Sequence, residues 1–268
     1  MCRTIGCKEI IVRAMKKAIK RTSLYRIILR RREKKAFRRW TTLDQELLEI
    51  YSKFISPGEL CFDVGANIGT RVRILLKLGA RVVAVEPQDE CIGNLRKAFR
   101  KNPRLTVVQK ALGACEGQAE IMKTSVTTLS SLSPEWIESV RRSGRFSQHD
   151  WNRRQLVPMT TLDALIVQYG MPSFIKIDVE GFEYEVLKGL SQAVKMLSIE
   201  FTPEFMESTF NCIGHLRQLG NIRLNYSAGD TMNLALKEWV SPEEMIEILL
   251  GFMSDNRLSG DVYVQFTD

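Results

Sequence analysis

Residues 60–70 read LCFDVGANIGT, and this stretch decides the fold. Leu60 to Val64 is a short, mostly apolar run of the kind that forms a strand buried on both faces. It leads into Gly65-Ala66-Asn67-Ile68-Gly69, and Val72 to Leu78 then carries helical spacing. Strand, glycine-bearing turn and helix in that order open a parallel α/β unit. Working outward, Thr42 to Phe54 reads as a helix, closed by the Pro57-Gly58 break. Downstream, 81–85 is a second buried strand ending in Glu86-Pro87, 89–100 a helix and 105–108 a third strand. Residues 117–123 read as an extra hairpin strand. The fourth main strand is 174–179, followed by a helix over 181–190, and 196–201 is the fifth. Weaker strand signals at 222–226 and 261–266 predict a C-terminal antiparallel pair. The expected fold is α/β, doubly wound and Rossmann-like, with a mostly parallel sheet and right-handed crossovers.

The chain has 268 residues, 44% hydrophobic and 26% charged, which suits one α/β domain with an appendage. Its net charge of +8 is unevenly spread. Residues 1–40 hold 15 Lys and Arg against Glu9 and Glu33, and the rest of the chain carries −5. The basicity therefore belongs to an N-terminal arm, and nucleic-acid binding by the domain at 41–268 is not expected. The six cysteines are scattered, with no CxxC pair and no histidine at ligand spacing, which predicts a reduced, cytoplasmic protein without a zinc site.

The arm reads as a basic helix over 8–40. It is too short in apolar residues for a membrane span and lacks the apolar core of a signal peptide. Its open readings are a solvated helix packed on the domain, a helix lying on an anionic membrane surface, a nucleic-acid arm and an Arg-rich targeting peptide. Cys2 and Cys7 are sites where lipidation would be compatible with the sequence. Residues 125–156 break the strand–helix rhythm. This polar insertion, with Trp136, His149, Trp151 and five arginines, reads either as a lid over an acceptor or as a solvated surface loop.

In an open α/β sheet, ligands sit beyond the carboxyl ends of the strands at the switch point. Gly65 lets the backbone turn tightly and a ligand approach closely, and Gly69 stands where the next helix packs against its strand. A pyrophosphate loop would need GxGxxG, and the central glycine is replaced by Asn67. Asp63 would repel a pyrophosphate yet receive an ammonium. Glu86, 21 residues after Gly65, can accept hydrogen bonds from both hydroxyls of a ribose. Adenosine with an amino-acid tail describes S-adenosylmethionine. Asp63, Gly65, Ala66, Asn67, Gly69 and Glu86 are therefore the expected cofactor residues, with helix capping as the bland reading of the two acids.

The segments FDVGANIGT (62–70), VEP (85–87), KALGACEGQAEI (110–121), TTLDAL (160–165) and FIKIDVEGFEYEVLKGL (174–190) together resemble the FkbM-type methyltransferases. The resemblance spans roughly 57–205. It implies a class I methyltransferase fold using S-adenosylmethionine, O-methylation of small molecules and sugars, and Ala111 in the third segment as a further cofactor contact. The acceptor itself does not follow, because the family is broad.

A hydroxyl acceptor needs its proton taken up. Asp178, ending the fourth strand, is the first candidate base and Glu180 the second; Asp178 could instead hold the cofactor. Glu183 serves equally as an acid at a helix N-terminus. Glu200 faces the same cleft from the fifth strand, with a solvated strand end as its bland reading. Lys176 either orients the acceptor or packs its stem with the amine reaching solvent, and His149 is a base only if the insertion closes. A hard divalent cation among these acids is an open alternative that does not belong to the expected set. The competing function is a membrane- or nucleic-acid-associated binding protein that kept the fold and lost turnover.

Overall fold

The computed structural model describes residues 39–229, 232–253 and 258–267. The predicted arm, apart from Arg39 and Trp40, lies outside the described residues. From Thr42 the chain forms one compact unit. Its elements are α1 (Thr42–Ser52), β1 (Leu60–Val64), α2 (Thr70–Lys77), β2 (Arg81–Val85), α3 (Asp89–Ala98) and β3 (Leu105–Val108). Then follow β4 (Ala111–Leu112), β5 (Gly117–Lys123), α4 (Pro134–Ser143), β6 (Arg153–Thr160), α5 (Leu162–Tyr169) and β7 (Phe174–Ile177). The last are α6 (Glu183–Leu187), β8 (Met196–Phe201), α7 (Met206–Leu219), β9 (Asn221–Ala228), α8 (Pro242–Leu250) and β10 (Gly260–Thr267).

Seven strands form the main sheet in the order β3-β2-β1-β7-β8-β10-β9. The first five run parallel, and β10 runs antiparallel to both β8 and β9. β1 is central, with every residue buried, which is why its sequence reads as an apolar run rather than an alternation. After β1 the chain winds first to β2 and β3 and later to β7 and β8 on the other side. The switch point therefore lies between β1 and β7. On one face Phe62, Val64, Ile177 and Ile199 pack under α5 to α8; on the other Cys61, Ala84 and Phe174 pack under α1 and α2.

Several expectations require correction. The strand at 117–123 is not part of a local hairpin. It pairs antiparallel with β6, some thirty residues on, in a separate three-stranded sheet ordered β4-β6-β5. The helix expected over 181–190 is only Glu183–Leu187, because a tight turn occupies Val179–Phe182. The fourth strand stops at Ile177, two residues early. Within 125–156 lies α4, capped by Ser133, whose Oγ accepts from Trp136 N at 3.0 Å, opened by Pro134 and ended at Gly144. Trp136, Ile137 and Val140 bury its inner face. Three arginines of the segment are spent internally. Arg145 pairs with Glu204 at 3.2 Å, Arg154 with Glu120 at 2.6 Å, and Arg153 donates to the Thr124 carbonyl at 2.6 Å.

Candidate active site

The turn after β1 is held from both sides. Gly65 N and Ala66 N donate to the Val85 carbonyl at the end of β2, at 2.9 and 3.0 Å, and Asp178 N donates to the Val64 carbonyl at 3.0 Å. Gly65 has φ +83°, and a Cβ there would stand 1.8 Å from the Asp178 carbonyl oxygen. Asn67 adopts a left-handed conformation, φ 47°, that aims its N–H at Glu86 Oε2, 2.8 Å away. Glu86 Oε1 accepts from Gln88 N, also at 2.8 Å. Each Glu86 oxygen keeps room for a second donor. Burial pushes this carboxyl up to about 7 against the pull of those backbone N–H groups.

A cavity of about 290 Å³ opens at this end of the sheet. Of the residues expected from sequence, Gly65, Asn67, Glu86, Ala111, Asp178 and Glu180 line it together, joined by Glu200. Asp63, Ala66 and Gly69 lie behind the wall. Asp63 is 1% exposed, Ala66 belongs to the core, and a Cβ on Gly69 would strike Leu95 of α3 and Phe99 just after it. His149 does not line the cavity; its ring packs beside Phe146. Sequence reasoning did not find Gln88 and Thr127. Thr127 Oγ1 donates to Asn67 Oδ1 at 3.2 Å and Gln88 Nε2 donates to the Thr127 carbonyl at 3.0 Å, which closes one wall. No local signal marks Thr127, since a single 3₁₀ turn, Thr127–Leu129, brings it there.

The opposite wall is the turn after β7. Glu183 Oε1 accepts from Val179 N and Gly181 N, at 3.0 and 3.2 Å, so its carboxylate holds this turn as well as opening α6. Ser131 Oγ donates to the Glu180 carbonyl at 2.6 Å. Gly181, φ +88°, presses on Trp136, whose Cβ would lie 2.3 Å from an added methyl. Glu180 is held at φ 55°, a conformation that costs a residue with a side chain about 1–2 kcal/mol. One carboxylate oxygen each of Asp178, Glu180 and Glu200 lies within 4.8 Å of the others. Burial, then the neighbouring Asp178 charge, pushes both Glu180 and Glu200 well above the usual carboxylate range.

The amine of Lys176 does not reach solvent, contrary to the packed-stem reading. The residue is fully buried, with Nζ 2.7 Å from Asp261 Oδ1 and 3.5 Å from Asp178 Oδ2. Burial opposes the ammonium, but Asp178 and Asp261 outweigh it and raise its pKa. Three carboxylate oxygens suit a shared proton or a hard cation. The ammonium already beside Asp178 supplies positive charge at this spot and favours the shared proton.

The methyltransferase FkbM domain profile matches residues 63–248. The chain belongs to the FkbM methyltransferase family. A relative, the hexuronic acid methyltransferase AglP of Haloferax volcanii, is 24% identical over 155 residues, 58% of this chain and 59% of that protein. The alignment thus spans under two thirds of that relative. Solved structures similar to the chain include a precorrin-6y C5,15-methyltransferase from Geobacter metallireducens (9% identity, 84% of this chain and 86% of that one, TM-score 0.44). Another is a SAM-dependent O-methyltransferase from Thermotoga maritima (9% identity, 82% and 64%, TM-score 0.40). Among the described residues no helix is long and apolar enough to cross a membrane.

In this FkbM domain the acids around the two turns set a pH dependence. Burial pushes Asp63, Glu86 and Glu183 up to about 7, from 3.8, 4.5 and 4.5. A carboxyl with a raised pKa binds its proton more tightly folded than unfolded. Its contribution to stability is complete below the unfolded value and is lost as pH rises through about 7. The urea midpoint is therefore expected to fall between pH 5.5 and pH 7.5, and a midpoint that rises over this range refutes the assignment.

Proposed function

We propose that this FkbM methyltransferase is an S-adenosylmethionine-dependent O-methyltransferase acting on a hydroxyl of a small molecule or sugar. The observation that carries this reading is one cavity with the Glu86 carboxylate at one end and the Asp178, Glu180 and Glu200 carboxylates at the other. The residues present suit the cofactor. Glu86, which lines the cavity, keeps acceptor capacity for a ribose diol, and Asp63, with Oδ2 buried and without a hydrogen-bond partner, adds negative charge behind the wall. When bound, the cofactor supplies an electrophilic methyl carbon.

This chain's residues supply position and proton handling. Gly65 and Asn67 shape the floor between the two acidic ends. Asp178, fixed by its N–H to the Val64 carbonyl and by Lys176, is the group we assign to take the acceptor's proton. Glu180 and Glu200, whose carboxyls burial and the Asp178 charge make harder to ionise, can donate to the acceptor's other oxygens when they carry a proton. A sugar acceptor is supported by the relative that acts on hexuronic acid. We place the reaction in a reducing cytoplasm: the four described cysteines, Cys61, Cys91, Cys115 and Cys212, are free thiols.

Titration calorimetry of the full chain tests the cofactor. Micromolar binding of S-adenosylmethionine without NADH binding is expected, and the reverse preference would overturn the reading. Glu86→Ala and Asp63→Ala are each expected to weaken S-adenosylmethionine by about 100-fold or more, through lost charge-assisted bonds. Unchanged affinity in both removes the assignment. Asp178→Asn is expected to keep the unfolding free energy from urea titration within about 1 kcal/mol of wild type and to cost about 10²- to 10⁴-fold in turnover. Full activity would exclude Asp178 as the base.

A further inference from the structure

The turn that carries Glu180 has a second use. Gly181 and Phe182, which follow it directly, line another cavity of about 460 Å³, and Leu132 and Phe182 are wall to both cavities. The remaining walls are the start of α4, the first residues of α6 and the segment from Phe205 into α7. Ser131, bonded to the Glu180 carbonyl at 2.6 Å, and Trp136, packed on Gly181, tie the α4 wall to the same turn. Space argues for joint use. Ligand cavities usually measure about 300–1,000 Å³. The first cavity, at about 290 Å³, is small even for one such ligand, and its Glu86 end is assigned to the cofactor. Methyl transfer sets two molecules side by side. An acceptor larger than a single ring therefore has to extend past Phe182.

The lining says what would fit. Tyr184 and Phe205, both half-buried, supply aromatic surface. The Ser208 hydroxyl and Asn211 amide make no hydrogen bond among the described residues and are available to a ligand. The charged residues of this lining, Glu135, Glu185 and Glu207, are all acids. Lys188 offsets Glu185 from 2.7 Å. Glu135 accepts only from the neutral Ser133 hydroxyl, at 3.3 Å, and neither it nor Glu207 forms an ion pair among the described residues. The groove thus keeps two negative charges. Aromatic surface suits the C–H face of a sugar ring, whose hydrogens meet the negative face of the aromatic ring. Carboxylates accept from hydroxyls and from ammonium groups. A carboxylate on the ligand would meet like charge instead.

We propose that this groove holds the part of the acceptor beyond its reacting ring, and that the acceptor is a hydroxyl-rich sugar chain, neutral or amino-bearing, rather than a single sugar or a sugar acid. This rests on the O-methyltransferase reading. The reacting hydroxyl lies among Asp178, Glu180 and Glu200, and the next sugar unit passes Phe182 into the groove between α4 and α7.

The test is calorimetry on the full chain saturated with S-adenosylhomocysteine. The probes are glucose and trisaccharides of one linkage built from glucose, glucosamine and glucuronic acid. The glucose and glucosamine trimers are each expected to bind about 10-fold tighter than the glucuronate trimer, and the glucose trimer about 10-fold tighter than glucose. The margin over the glucuronate trimer is expected to shrink in about 1 M salt, where charges are screened. Ser208→Trp, which fills the groove, is expected to bring the glucose trimer down to the affinity of glucose. Glu207→Lys, a reversal on an exposed residue, is expected to shift the preference about 10-fold towards the glucuronate trimer. Both variants are expected to hold S-adenosylhomocysteine within about twofold of wild type, which shows that the fold and the first cavity are intact. A wild-type chain that binds S-adenosylhomocysteine but takes the glucuronate trimer as tightly as the others overturns the proposal and leaves the methyltransferase reading standing. So does one that binds no trisaccharide, or a Ser208→Trp variant that binds the trimer as wild type does. A wild-type chain that does not bind S-adenosylhomocysteine overturns the methyltransferase reading and the groove's role with it.

Discussion

Lys176→Met is expected to cost the fold about 3–5 kcal/mol. The ammonium lies 2.7 Å from Asp261 and 3.5 Å from Asp178, in a fully buried position at the centre of the sheet. Asp261 is itself only 5% exposed. Methionine fills a similar volume, so packing is conserved and the loss isolates charge. What remains is a buried carboxylate with its counter-ion gone, which is the expensive half of a broken pair. Asp261→Asn in the same chain removes that stranded charge. The double variant is therefore expected to regain most of the stability that Lys176→Met loses. Urea unfolding of the two single variants and the double variant measures the coupling. A Lys176→Met variant within 1 kcal/mol of wild type would show that the pair contributes nothing, and equal losses in the single and double variants would show that charge is not the cause.

The strands were legible because burial on both faces leaves little ambiguity. The runs at 60–64, 81–85, 105–108 and 196–201 have the bounds predicted for them. Helix ends were less legible. α2 begins two residues before the expected Val72, and α6 loses its first turn to the left-handed pair Glu180-Gly181, a requirement set by Trp136 and Ser131 rather than by local pattern. β6 was missed because it is half exposed, carries Arg153, Arg154 and Pro158, and belongs to a satellite sheet whose partner lies far back in the chain. α4 and α8 both carry local start signals. Ser133-Pro134 precedes Trp136, Ile137 and Val140 at helical spacing, and Ser241-Pro242 with Glu244 forms a capping box.

The site divides in the same way. Residues at strand ends, such as Gly65, Glu86, Asp178 and Glu200, could be placed in one cleft by the rule that ligands sit beyond the carboxyl ends of parallel strands. Thr127 and Gln88 could not, because the side chain–main chain bonds that bring them to the wall join segments 39 residues apart. Lys176 was legible only as an oddity, a lysine in an apolar strand. Its partner Asp261 lies 85 residues on, and only the antiparallel β10 brings the two together.

Gly65→Ala is expected to destabilise the protein by about 3 kcal/mol or more and to remove cofactor binding. Two costs act at once. At φ +83° an alanine pays about 1–2 kcal/mol for the left-handed backbone. Its methyl would also stand 1.8 Å from the Asp178 carbonyl oxygen, and a main-chain atom cannot swing aside as a side chain can. Overpacking of this kind costs about 1–3 kcal/mol. Relief has to come from parting the ends of β1 and β7. That movement stretches the bond from Asp178 N to the Val64 carbonyl and the two bonds from the turn to the Val85 carbonyl. The floor of the cavity is then displaced while Glu86 and Asp178 stay chemically intact. Gly58→Ala is the control, since Gly58 also has positive φ, +86°, and a Cβ there meets nothing within 4 Å. The control is expected to lose only the backbone cost and to bind S-adenosylmethionine as wild type does. Calorimetry and urea unfolding on both variants separate the two contributions. If Gly65→Ala matches Gly58→Ala in stability and still binds, the closeness of the two turns is not what shapes the site.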